Sequence, residues 1–183
     1  MNKNFLITAI LVAFLSVMIY SFPVAQTTKD SSQIAFHSAV CIYKNGQLTG
    51  PCTHNTMMNA SLNATRDCLG KAGACSAVAF DYIAVGNSST AEDATLAALV
   101  GEVTFSGLAR AEGTYGLIPQ SIGNWSISKE FTVGAGATNL IVNTTALFNA
   151  SSTGTMFAGK NFAASVTLQG GDKLNVTWYI WVS

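Results

Sequence analysis

Charge is what this chain has least of. Charged residues are 10% of 183, nine Lys+Arg balance nine Asp+Glu, and only Arg66 and Arg110 carry guanidinium groups. With no cluster of cations to neutralise a phosphate backbone, nucleic-acid binding is excluded. Low charge also argues against a flexible solvated tail, since disorder goes with low apolar content and high net charge, and this chain is 49% apolar with balanced charge. Histidine is scarce too. Neither His37 nor His54 sits in a motif for a Ser-His-Asp site. There is no G-x-S-x-G elbow, no Walker loop and no H-E-x-x-H, and Gly134-x-Gly136 lacks the third glycine and the strand-to-helix setting of a dinucleotide site. Glu92 and Asp93 are adjacent acids, which suit the first turn of a helix better than a catalytic pair. The expectation is a non-enzymatic protein that needs no cofactor and no metal. Asp81, between Phe80 and Tyr82, is the one odd carboxylate, suited to cap a loop or to coordinate a cation.

What is present begins with an apolar N-terminus. Residues 5–25 (FLITAILVAFLSVMIYSFPVA) carry no charge and follow Lys3. The strongly apolar part, 5–20, has the length of a signal-peptide core, and Lys3 favours keeping the extreme N-terminus cytoplasmic. Two outcomes stay open: cleavage after Ala25, or retention of 5–25 as a membrane anchor, because Pro23 stands where a small residue is usual before a cleavage site. No Gly-then-Glu signature of a type IV pilin is present. Residues 26–183 then form one domain, 158 residues long with a formal charge of 8 minus 9, or −1.

Cysteines and sequons agree with export. Cys41, Cys52, Cys68 and Cys75 are even in number and lie within a cysteine-bearing region at 31–75. In an oxidising compartment they pair, and of three pairings Cys41 with Cys52 and Cys68 with Cys75 is preferred, the first stapling a hairpin and the second closing a short loop. A metal site is the competing reading because His37 and His54 lie nearby, but no two cysteines have C-x-x-C spacing. Seven sequons occur among 11 Asn beyond residue 25: Asn59, Asn63, Asn87, Asn124, Asn143, Asn149 and Asn175. Composition alone would place roughly two, so N-linked glycosylation is expected.

Period-two alternation dominates the second half and predicts a mainly β fold: an antiparallel β-sandwich of jelly-roll or Ig-like type, with one or two short helices, preceded by the N-terminal hydrophobic helix. In 174–183, Leu174, Val176, Trp178, Ile180 and Val182 share one side. Phe162, Ala164, Val166 and Leu168 alternate just upstream, and Gly170-Gly171-Asp172 predicts a hairpin in which 168 opposes 174 and 166 opposes 176. Trp125, Ile127, Phe131 and Val133 share a side, as do Leu140, Val142, Ala146 and Phe148. Residues 34–43 form an earlier strand that ends at Asn45-Gly46, a two-residue hairpin signal, and Val103 and Phe105 begin another. Ser89 and Glu92 have capping-box spacing before Leu96, Leu99, Val100 and Val103, which predicts one helix; a second is expected near 60–70.

Four segments, AFDYIAVGNSST at 79–90, GLARAEGTY at 107–115, ALFNASSTGTMFA at 146–158 and LQGGDKLNVTWYI at 168–180, resemble phage tail-fibre and tail-collar-fibre proteins. They run in the same order through a tail-fibre-like region at 75–183. The resemblance implies a non-enzymatic β module of an elongated attachment structure and brings no catalytic residue with it. The export signal and the cysteine-bearing region depart from that pattern.

The functional expectation is an extracellular, cell-surface structural or adhesive glycoprotein, a subunit of a filament or appendage. The alternatives are a virion tail-fibre-like attachment protein and a carbohydrate-binding module. Its partners would be further copies or other surface or virion proteins, engaged by strand addition, with membrane contact only through 5–25 if that segment is retained. The run 33–43 is either a donor strand or an ordinary intrachain strand. Tyr179 and Trp181, outward on the last strand, form the candidate interface, since aromatics are enriched at contact surfaces.

Overall fold

Among the described residues eleven strands and one helix follow in chain order: β1 (Phe36–Lys44), β2 (Gln47–Leu48), β3 (Thr53–His54), β4 (Thr56–Met57), α1 (Asn59–Gly70), β5 (Tyr82–Gly86), β6 (Ala111–Glu112), β7 (Thr114–Leu117), β8 (Trp125–Thr132), β9 (Leu140–Phe148), β10 (Met156–Leu168) and β11 (Lys173–Val182). The structure is a computed structural model that describes residues 35–70, 79–90 and 92–182. These all belong to one compact unit beginning at Ile34. The expected export segment at 1–25 lies outside the described residues, and no helix among the described residues is long and apolar enough to cross a membrane.

The strands form two antiparallel sheets. One has the order β2-β1-β11-β8-β7 with β3 also paired to β1, and the other has the order β4-β10-β9-β5-β6. Their facing sides share one apolar core: Val40 and Ile42 of β1, Ile127 and Phe131 of β8, and Leu174, Val176, Trp178 and Ile180 of β11 meet Ile83, Val85, Val142, Leu147, Phe157, Val166 and Leu168 of the second sheet. Burial of these side chains is the main stabilising term, at about 1.5–3 kcal/mol for each large aliphatic or aromatic residue. The second sheet is covered on its other side as well. There Met58 packs on Ala84, Ala146, Phe148 and Met156, with Leu96 and Leu99 against them.

Local signals in the sequence match the structure. The turn after β1 has Asn45 at φ 50° and Gly46 at φ 79°, and it brings Tyr43 opposite Leu48 and Lys44 opposite Gln47. Positive φ at both central residues is what a two-residue hairpin requires and what Asn-Gly tolerates.

Four expectations are corrected. The hairpin between 162–169 and 173–182 does not form: Leu168 pairs with Leu140 and Val166 with Val142, while β11 pairs with β1 and β8. Gly170-Gly171-Asp172 instead carries the chain from one sheet to the other, with Gly171 at φ 89°. Alternation specifies which side of a strand is apolar, and that side is buried equally well beside a neighbour or across from it. The predicted helix beyond Ser89 and Glu92 is a series of turns. Its apolar spacing arises from two destinations, since Leu96 and Leu99 cover the outer side of the second sheet whereas Val103 enters the main core. Val103 donates its N–H to the Val85 carbonyl at 2.8 Å, but no strand starts there and Phe105 is exposed. Finally, Ala146 and Phe148 face away from Leu140 and Val142, because the face presented by β9 switches beside the register shift between Asn161 and Val166 on β10.

The crossing turn is latched to the β1–β2 hairpin. Asn45 Nδ2 donates to Asp172 Oδ1 at 2.8 Å, Lys44 Nζ lies 2.9 Å from Asp172 Oδ2, and Gln169 N–H donates to that oxygen at 2.8 Å. The Asn45 amide first, then the Gln169 N–H and Lys44, lower the Asp172 carboxyl from 3.8 to about 2. A carboxyl with a depressed folded-state pKa contributes stability that is complete above the unfolded value and is lost as pH falls through the folded one. Stability from this latch is therefore present above pH 3.8 and disappears toward pH 2. Asp172→Asn is expected to lower the melting temperature at pH 7 and to flatten its decline in that acid window. Thermal unfolding at stepped pH checks this, and parallel acid slopes in the two proteins would refute it.

Candidate functional site

One surface carries residues singled out in the sequence, and a second emerges only from the strand order. The first is the outer side of the β1–β11 pair. His37 stands opposite Trp181 in the strand register, and their rings stack at 5.6 Å with 16° between planes. His54, brought alongside by pairing of β3 with β1, meets the same indole edge-on at 5.6 Å. Trp181 is therefore half-buried between two imidazoles, and Tyr179 is half-buried as well. The two histidines that composition placed near the cysteines serve here as ring partners. Among the described residues no group of three or more His, Cys, Asp or Glu could hold a metal ion.

Cys41 of β1 and Cys52 form a disulfide with Cα atoms 4.4 Å apart, tying the strand to the arm that returns as β3. Cys68, near the end of α1, is also disulfide-bonded. Its expected partner Cys75 lies outside the described residues. The run 33–43 enters the structure as β1, paired with β11 from Phe36 to Lys44 and flanked on its other edge by β2 and β3. Within the described residues it is an intrachain strand.

The sequons are distributed unevenly. Asn59, Asn63 and Asn87 are exposed, whereas Asn124, Asn143, Asn149 and Asn175 are half-buried. Asn149 is occupied structurally, its Oδ1 accepting the Thr155 N–H at 2.6 Å, and Asn175 Oδ1 accepts the Thr177 hydroxyl at 3.0 Å. Asn143 holds a buried Oδ1 with no hydrogen-bond partner.

The second surface was not foreseen. β7 ends the first sheet, so among the described residues one side of Thr114–Leu117 has no strand beside it. Its sequence TYGL contains no charge, and Tyr115 and Leu117 are exposed, Leu117 at 75%. In the following loop Ile122 is 99% exposed. Edge strands are ordinarily protected by charge, proline or cover, because their free N–H and C=O groups template pairing with another chain. Among the described residues only Pro119, beyond the end of the strand, fits that description here. The run TYGLI at 114–118 could have flagged the edge, but strand order is a tertiary property that the sequence pattern does not state.

Two acids take roles that spacing did not reveal. Glu92 accepts the Asn161 N–H at 2.8 Å and the Thr56 hydroxyl at 3.1 Å and pairs with Lys160 at 3.0 Å, fastening its loop to β10 and β4. Asp93 accepts both the N–H and the hydroxyl of Thr95 at 2.8 Å, which hold its carboxyl below the usual range. This is a turn motif, not a helix first turn. No family model and no curated protein matches the chain.

Proposed function

We propose that this protein is a non-enzymatic, exported and glycosylated structural or adhesive subunit of a cell-surface filament or appendage, built on a β-sandwich of jelly-roll or Ig-like type. The observation that carries this reading is the apolar edge of β7, which no other strand covers among the described residues, with Leu117 and Ile122 beside it. Strand addition to such an edge supplies main-chain hydrogen bonds, and the flanking apolar side chains supply desolvation. The Cys41–Cys52 bond accords with an oxidising destination, and exposed Asn59, Asn63 and Asn87 are the sequons best placed for sugar.

Electron microscopy of the native protein tests the reading. Polymers are expected at high concentration, and Leu117→Lys combined with Ile122→Lys should leave monomers while moving the melting temperature by only a few degrees. Discrete monomers of the unsubstituted protein would count decisively against a filament role.

A virion attachment protein is the second reading, and one observation favours it. The segments that resemble tail-fibre proteins converge in space: Gly113 N–H donates to the Asp81 carbonyl at 2.7 Å, and Arg110 NH1 donates to the carbonyls of Ala150 at 3.2 Å and Thr153 at 2.7 Å. Location of the gene among virion-assembly genes would decide for this alternative.

A further inference from the structure

A cavity of about 350 Å³ opens between the sheets, walled by Tyr115, Trp125, Ile127 and Ile180 of the first and by Leu147 and Phe157 of the second, with Ala79, Phe80 and Asp81 leading into β5. Four of these are aromatic, and Phe80 and Phe157 lie with ring centroids 4.9 Å apart. The volume is within the range of small-molecule sites, which are concave and mainly apolar with a few polar groups that orient the ligand. One polar group of that kind is present. Asp81 is the sole charged residue lining the cavity, is half-buried, and its carboxylate makes no ion pair or hydrogen bond with another side chain among the described residues. Burial first, and then the nearby Glu112 carboxylate, raise its pKa above the ordinary value. Among the described residues no cationic side chain lines the cavity to offset these two acids.

We propose that this cavity binds a small organic cation, an ammonium group carried on an apolar body. Aromatic faces attract a cation through their ring quadrupoles, most strongly where water is excluded, and Trp is the best of them. A carboxylate at the same mouth adds direct Coulomb attraction. An anionic ligand of the same shape would meet Asp81 and Glu112 as like charges, so the preference is for charge sign as well as for apolar body. The site shares Tyr115 with the β7 edge, but its charge preference comes from Asp81, and it needs no assembly to bind.

The test uses the full exported protein and three probes of matched chain length: hexyltrimethylammonium, hexanol and hexanoate. Binding is followed by calorimetry and by the Trp125 contribution to fluorescence in a Trp181→Phe background. Saturable one-to-one binding of the ammonium is expected, roughly tenfold tighter than hexanol, with hexanoate weaker than either. Asp81→Asn should bring the ammonium to the hexanol level and leave hexanol unchanged. Glu112→Gln, which alters an exposed residue beside the site, should weaken the ammonium in the same direction and carries the test if the first variant does not fold. No saturable binding of any probe would mean that protein fills the cavity and would overturn the proposal. So would affinity that falls as protein concentration rises, which marks a second copy as the occupant, or equal affinity for hexanoate.

Discussion

Replacing Arg110 by alanine is expected to lower the free energy of unfolding by about 3 kcal/mol, the lower end of the cost of leaving one member of a buried ion pair alone. The guanidinium is nearly enclosed, with 7% of its side chain exposed against 20% for Glu102. It meets that carboxylate as a fork: Nε to Oε1 at 3.0 Å and NH2 to Oε2 at 2.6 Å. The remaining donor, NH1, closes on the carbonyls of Ala150 and Thr153, and the guanidinium carbon lies 3.4 Å from the centre of the Phe148 ring. One side chain thus joins the turn region near residue 102, the approach to β6 and the loop between β9 and β10. Alanine would strand the Glu102 charge and release two carbonyls together. Lysine would keep the charge but lose the fork, so Arg110→Lys should be intermediate. Adding Glu102→Ala to Arg110→Ala should recover part of the loss, because the stranded carboxylate is then gone. Urea unfolding of the four proteins measures these differences. A cost under about 1 kcal/mol for Arg110→Ala would show that the pair behaves as an ordinary surface contact.

Arg110 also shows where reading from sequence stops. Nothing around residue 110 signals that its partners lie at 102, 148, 150 and 153, since a fork on a carboxylate is satisfied by any loop the fold delivers. The same holds for Glu92, whose spacing from Ser89 matched a capping box while its partners are Asn161, Lys160 and Thr56. Features whose cause is local were legible. Asn45-Gly46 gave a hairpin because two adjacent positive φ values are a property of those residues, and alternation in 125–133 and 174–182 identified the buried side of β8 and β11. Cys41 with Cys52 was legible for the same reason, the loop being short and the turn within it marked. Features decided by topology were not. Val166 and Leu168 turn the same side to the core whether Gly170-Gly171-Asp172 makes a hairpin or a crossing, so the pattern had no means of separating the two. The edge position of β7 depends on strand order, and the cavity beside Asp81 depends on how far apart the sheets stand there; both are set by contacts hundreds of ångströms of extended chain would have to bring together.

Trp178 and Trp181 convert the legible part into a measurement with opposite expectations three residues apart. Trp178 is fully buried between Val40 of β1 and Ile127 of β8 in the strand register, at the centre of the shared core. Trp178→Ala should therefore cost about 3–5 kcal/mol, the range for deleting a large aromatic from a packed interior. For a domain of this length each kcal/mol corresponds to roughly 2–4 °C of melting temperature, so a fall of about 6–20 °C is expected. Its indole N–H is buried without a hydrogen-bond partner, an uncompensated polar group inside an apolar cluster. Trp178→Phe removes that penalty while opening a smaller void, and the two effects oppose each other. Phenylalanine should accordingly cost less than half of what alanine does. Trp181, on the outer side against His37 and His54, is only half-buried, so Trp181→Ala should cost about 1 kcal/mol, the scale of an aromatic pair on a sheet surface. Chemical unfolding of the three variants gives the ranking. Equal losses at 178 and 181 would contradict the inward and outward assignment of β11, and with it the placement of the core between the two sheets.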